Sequence, residues 1–174
     1  MIAFVVLLII PQTGRPIKVF VNRLISFSPS SIDQKDQKTL SSYKWELKDI
    51  KGEIVNFSQS EKRVAVVNIW ATWCPPCIAE MPSLQNLYNE YGDKVDFYFV
   101  ASDKKEKVTR FLAKEGYNLP VYFYHGIIPP LLETGSLPTT YLVDKKGKII
   151  ISKKGSADWD SDSVKKLLDK AIAE

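Results

Sequence analysis

The sequence predicts an α/β fold: a mixed central sheet opened by a β-hairpin, with helices on both faces. Three observations carry this. Val64–Trp70 is a continuous β-branched run of the kind that fills a strand buried on both sides. From there to Tyr124, strand and helix patterns alternate, which means parallel strands joined by crossover helices. After residue 138, two apolar runs flank Asp144-Lys-Lys-Gly147, a tight turn that makes the last pair antiparallel.

In chain order, Tyr43–Leu47 and Glu53–Phe57 surround Lys51-Gly52 and read as the opening hairpin. A helix is expected from Pro75 to Tyr91, with Met81, Leu84, Tyr88 and Tyr91 on one face and a kink at Pro82. Val95–Ala101 reads as a strand, Lys104–Glu115 as a charged amphipathic helix and Leu119–Tyr124 as a short strand. Thr139–Val143 and Lys148–Ser152 form the second hairpin. A last helix, capped near Asp160 or Ser161, turns Leu167, Leu168 and Ile172 to the sheet.

At 174 residues, the chain suits one domain with an extension. Residues 1–27 form a hydrophobic or amphipathic segment, 28–42 a polar linker and 43–174 the folded domain. Met1–Ile10 is apolar over the length of a signal-peptide core, about half a membrane span. Ile17, Phe20, Val21, Leu24 and Ile25 then recur at helical spacing, as in an interfacial helix. Export or membrane tethering is one reading of this segment; an arm packed on the domain is the other.

The net charge is +4, and Arg15, Lys18, Arg23, Lys35 and Lys38 against Asp33 and Asp36 supply most of it. The rest of the chain mixes both signs, so nothing points to nucleic acid. Two cysteines three residues apart cannot staple long loops. A single distant histidine, His125, makes a four-ligand zinc site a poor fit.

Cys74 follows the buried strand and opens a helix, where free N–H groups and the macrodipole favour a thiolate. It is the expected nucleophile. Cys77, one turn on and less exposed, is placed to resolve a mixed disulfide. Pro75 and Pro76 fit the first turn, and their missing N–H groups limit how far the thiol pKa falls, which favours a weaker oxidant. Trp73 is expected as an exposed apolar platform for partners, Trp70 as core; Trp159 has no assigned role.

Val67-Asn-Ile-Trp-Ala-Thr-Trp-Cys-Pro-Pro-Cys77 followed by Leu137-Pro-Thr-Thr-Tyr-Leu-Val-Asp144 resembles the TlpA/ResA-like branch of the thioredoxin superfamily, over roughly residues 43–174. The resemblance implies a thioredoxin-like fold and a thiol–disulfide oxidoreductase that reduces extracytoplasmic client proteins, in the periplasm or cell envelope. It implies a cis-proline at Pro138, with Leu137 offering strand-like hydrogen bonds to a peptide near Trp73, Pro75 and Pro76. Where thioredoxins carry a buried Asp, position 68 is Asn. The branch instead resembles proteins with an acidic residue soon after the second cysteine, here Glu80, which shares a helix face with Cys77 and suits proton transfer.

No cofactor beyond the Cys74–Cys77 pair is required. The expected partners are disulfide-bearing clients, cytochrome c maturation among their settings, and an upstream membrane thiol reductant. Two rivals stand beside this reading. One is a thiol peroxidase; the other is a copper-binding chaperone using Cys74, Cys77 and His125.

Overall fold

The computed structural model describes residues 11–174. Met1–Ile10, the apolar start of the expected tether, lies outside them. In chain order the elements are α1 (Pro11–Leu24), β1 (Glu46–Asp49), β2 (Ile54–Asn56), β3 (Ala65–Trp70), α2 (Pro75–Tyr91), β4 (Asp96–Ala101), α3 (Lys105–Glu115), β5 (Val121–Tyr124), β6 (Thr139–Val143), β7 (Ile149–Lys154) and α4 (Asp162–Ala173).

The seven strands run in the order β2-β1-β5-β4-β3-β6-β7. β3, β4 and β5 are parallel, and the hairpins β1–β2 and β6–β7 add antiparallel strands on either side. β3 lies inside the sheet between β4 and β6, and all six of its residues are buried. That is why its sequence shows no alternation.

The strands nevertheless serve two faces by parity. Val66, Trp70, Phe97 and Phe99 join residues of α2, α3 and α4 in one core. Val67, Ile69, Tyr98 and Val100 join Trp45, Phe57 and Leu132 in the other. Helical cover is therefore unequal: three long helices on one face, and the short 3-10 turns Phe57–Ser60 and Pro130–Leu132 on the other. The cause is topological. β3, β4 and β5 step across the sheet in one direction, so right-handed crossovers put α2 and α3 on the same side.

Several boundaries differ from the sequence reading. The first hairpin pairs later than its apolar residues suggest, because Tyr43 and Trp45 pack beside β1 without belonging to it. The N-terminal helix begins at Pro11, with Pro16 inside it, and lies against α2. Residues 28–42 do not form a free linker. The Ile32 N–H donates to the Ile150 carbonyl at 2.8 Å, Leu40 N–H to Gly147 at 2.8 Å, and Ile149 N–H to Lys38 at 2.9 Å. Leu40 is buried, so the packed domain starts before residue 43.

Candidate active site

The site is built where β3 stops. After Trp70 the chain turns, Cys74 N–H bonding back to the Ala71 carbonyl at 3.2 Å, and Cys74 becomes the N-cap of α2. Pro75 and Pro76 occupy the first helical positions, whose N–H groups would have no intrahelical acceptor anyway. The Cys77 N–H is left to donate to Cys74 Sγ, at 3.3 Å. Cys74 and Cys77 are joined as a disulfide with their Cα atoms 5.3 Å apart. Cys77 is wholly covered and Cys74 nearly so.

In front of the disulfide lies a groove of about 540 Å³ bordered by Trp73, Pro75, Pro76, Tyr124 and Leu137, with Ser102, Thr134 and Gly135. No side chain in this lining carries a charge. Trp73 is 57% exposed, whereas Trp70 is fully buried. The Leu137–Pro138 peptide is cis, and the Pro138 carbonyl accepts from Gly155 N–H at 2.9 Å, tying this loop to the chain after β7. The Thr72 hydroxyl, two residues before Cys74, donates to Asp103.

Behind the disulfide is a buried polar cluster. Glu80 is 1% exposed. Its Oε1 accepts from Asn68 Nδ2 at 2.8 Å, and its Oε2 from the Trp159 indole at 2.9 Å and Ala157 N–H at 3.2 Å. Asn68 also donates to Thr140 Oγ1 at 2.7 Å. Burial pushes the Glu80 carboxyl up to about 8, against the pull of its three hydrogen bonds and of the Lys153 cation. α2 continues through Pro82, and Ser83 Oγ donates to the Glu80 carbonyl at 2.8 Å while accepting from Trp159 N–H at 3.1 Å.

The fold thus collects Cys74, Trp73, Pro75, Pro76 and Leu137 around one groove, while Cys77 is buried in the disulfide, Pro138 lies outside the lining, and Glu80 sits in the core on the same helix. Trp159 and Thr140 are partners that the sequence did not assign. Asn68, singled out in the sequence only for standing where thioredoxins carry Asp, is the one polar residue of the buried β3, and its two bonds are not readable from spacing. His125 stands apart, its Nε2 3.9 Å from Glu46 Oε2. Among the described residues, no three His, Cys, Asp or Glu side chains are grouped to hold a metal.

The Redoxin family model matches residues 35–168. The chain belongs to the Redoxin family. Among curated relatives, the thiol-disulfide oxidoreductase ResA of Oceanobacillus iheyensis is 38% identical over 112 residues, 60% of this chain and 58% of that protein. The thioredoxin-like protein YneN of Bacillus subtilis is 39% identical over 117 residues, 64% of this chain and 62% of that protein. The match spans about six-tenths of the length of these relatives.

Two solved structures share the family's thioredoxin-like fold. A secreted thiol-disulfide isomerase from Corynebacterium glutamicum superposes with a TM-score of 0.64 at 19% identity, covering 83% of this chain and 91% of that one. The exposed lipoprotein thioredoxin of Streptococcus pneumoniae gives 0.59 at 25% identity, covering 72% and 98%.

Proposed function

We propose that this chain is a thiol–disulfide oxidoreductase that reduces disulfides of extracytoplasmic client proteins at Cys74 and Cys77. The observation that carries the reading is the position of the disulfide: at a helix N-terminus, between an uncharged groove and a buried carboxyl.

In the reduced protein the Cys74 thiolate, held by the Cys77 N–H and the start of α2, attacks one sulfur of the client disulfide. One client thiolate leaves and Cys74 is joined to the other client sulfur. The Cys77 thiol then gives its proton to Glu80 and attacks Cys74 Sγ, releasing the second client thiolate. The balance is two electrons to the client, which leaves as two thiolates, the Cys77 proton on Glu80, and an oxidised Cys74–Cys77 pair. Trp73, Pro75 and Pro76 form one wall for the client, and Leu137, in cis linkage to Pro138, the other, where an extended peptide adds strand-like hydrogen bonds.

The chemistry needs no metal or organic cofactor. An upstream membrane dithiol restores the reduced pair. Placement outside the cytoplasm is supported by the secreted and lipoprotein structural relatives. A tether through residues 1–27 is supported by the exposed Phe20, Val21, Ile25 and Phe27 beside Lys18 and Arg23; no described helix is long and apolar enough to cross a membrane.

The test is the reduction potential of the pair in defined thiol buffers, with Cys74→Ser as control. A value at or below roughly −220 mV supports a reductase; one near roughly −120 mV makes the protein an oxidant. A pair that forms no disulfide in these buffers overturns the exchange mechanism.

A further inference from the structure

The two oxygens of Glu80 have different company. Oε2 lies between the Ala157 N–H and the Trp159 indole N–H, groups that donate and never accept. A proton on Oε2 would face two other hydrogens, so a proton taken up by Glu80 belongs on Oε1. Oε1 faces Asn68 Nδ2 at 2.8 Å. Both Nδ2 hydrogens are engaged there, one with Oε1 and one with Thr140 Oγ1, while Asn68 Oδ1 is buried with no partner. With Glu80 ionised this is a good arrangement. With Oε1 protonated, it sets donor against donor.

A side-chain amide has nearly the same shape either way round. A half-turn about the Cβ–Cγ bond brings Oδ1 to the place of Nδ2, where it accepts from Oε1–H and from the Thr140 hydroxyl, a group that serves equally as donor. One amide group is left over in either orientation, so the turn costs no net hydrogen bond among these side chains.

We propose that Asn68 is a positioning residue for proton transfer, its amide turning as Glu80 gains or loses a proton at Oε1. Glu80 then has a matched partner in both charge states, which a Leu at position 68 would not supply. The groups facing Glu80 from other elements are the neutral Asn68 of β3, with Thr140 of β6 behind it, the Ala157 and Trp159 donors after β7, and the Lys153 cation of β7. On α2 itself the group one turn away is Cys77, tied in the disulfide. The inference deepens the proposed exchange reaction, whose resolving step is the one that moves a proton to Glu80.

The experiment is an NMR titration of the disulfide form, following the Asn68 side-chain amide and the Glu80 carboxyl carbon through the midpoint near pH 8. The Asn68 resonances should move with the Glu80 midpoint. In Glu80→Gln, the new carbonyl must accept from Trp159 and Ala157, which turns the new amide nitrogen toward Asn68. The Asn68 signals should then stay at their low-pH positions at every pH. Asn68 signals that stand still while Glu80 titrates, a Glu80 that does not titrate, or a Glu80→Gln spectrum matching the high-pH form would each overturn the proposal. No client or turnover is involved. Failure of thiol exchange would therefore sink the proposed function alone, and a fixed Asn68 in an exchanging protein would sink this inference alone.

Discussion

Glu80 and Asp103 are both carboxylates near the redox helix, and each accepts hydrogen bonds from side chain and backbone. Their acidities move in opposite directions. At Glu80, deep in the core, burial outweighs the bonds from Trp159, Asn68 and Ala157 and raises the pKa. At Asp103, on the half-buried rim after β4, burial also raises it, but the Thr72 hydroxyl, the Lys104 N–H and the Lys107 cation prevail and hold it low. Depth, not the number of donors, decides whether a carboxyl keeps its proton. In the proposed mechanism the deep group moves protons, whereas the rim group holds the Thr72 hydroxyl of the turn before Cys74.

The largest effect should follow from neutralising the deep group. Glu80 binds its proton more tightly folded than unfolded, so its ionisation removes stability as pH rises from the ordinary carboxyl range to about 8. Glu80→Gln should abolish this slope, worth up to about 5 kcal/mol across the window, as read by urea unfolding at several pH values. The same variant should slow resolution of the mixed disulfide by about 10²- to 10⁴-fold, as read by stopped-flow. An unchanged slope would show that depth is not what sets the acidity of Glu80.

Trp159→Phe sharpens the comparison from the other side, by deleting one donor and leaving burial in place. The Glu80 midpoint should rise further, and stability should fall by about 1–3 kcal/mol, in an NMR titration and a denaturant melt of the same sample. The smallest effect belongs to Asp103→Asn. Because the folded pKa of Asp103 is depressed, its contribution is present at neutral pH and fades as pH falls through that value. The variant should lose about 1 kcal/mol at neutral pH and little in acid, with the pH profile of exchange unaltered.

The parts of this molecule written in local pattern were legible in its sequence. The α2 helix was read at its true limits because Pro75 starts it and the Met81, Leu84, Tyr91 stripe runs to its end. Val64–Trp70 announced itself as a buried run, and Thr139–Val143 as a hairpin strand by the turn that follows it. The Cys74–Cys77 pair needed only the helical turn between them. What was not legible is carried by long separations or by backbone. Trp159 reaches Glu80 from 79 residues away, and nothing in its neighbours Asp158 and Asp160 hints at a core position. Residues 28–42 read as a linker because their composition is polar, whereas they are held by main-chain bonds that any side chain permits.

Those main-chain bonds have a second consequence. A sheet that ends in an open strand offers a template on which another chain can add, the first step of aggregation. Here Ile32, Lys38 and Leu40 bond to Ile150, Ile149 and Gly147, and Thr39 bridges Lys148, so the start of β7 and the turn before it are already occupied. The opposite edge is β2, only three residues long. One margin is hemmed and the other is too short to recruit a neighbour. An incoming chain thus finds a full-length open strand at neither rim.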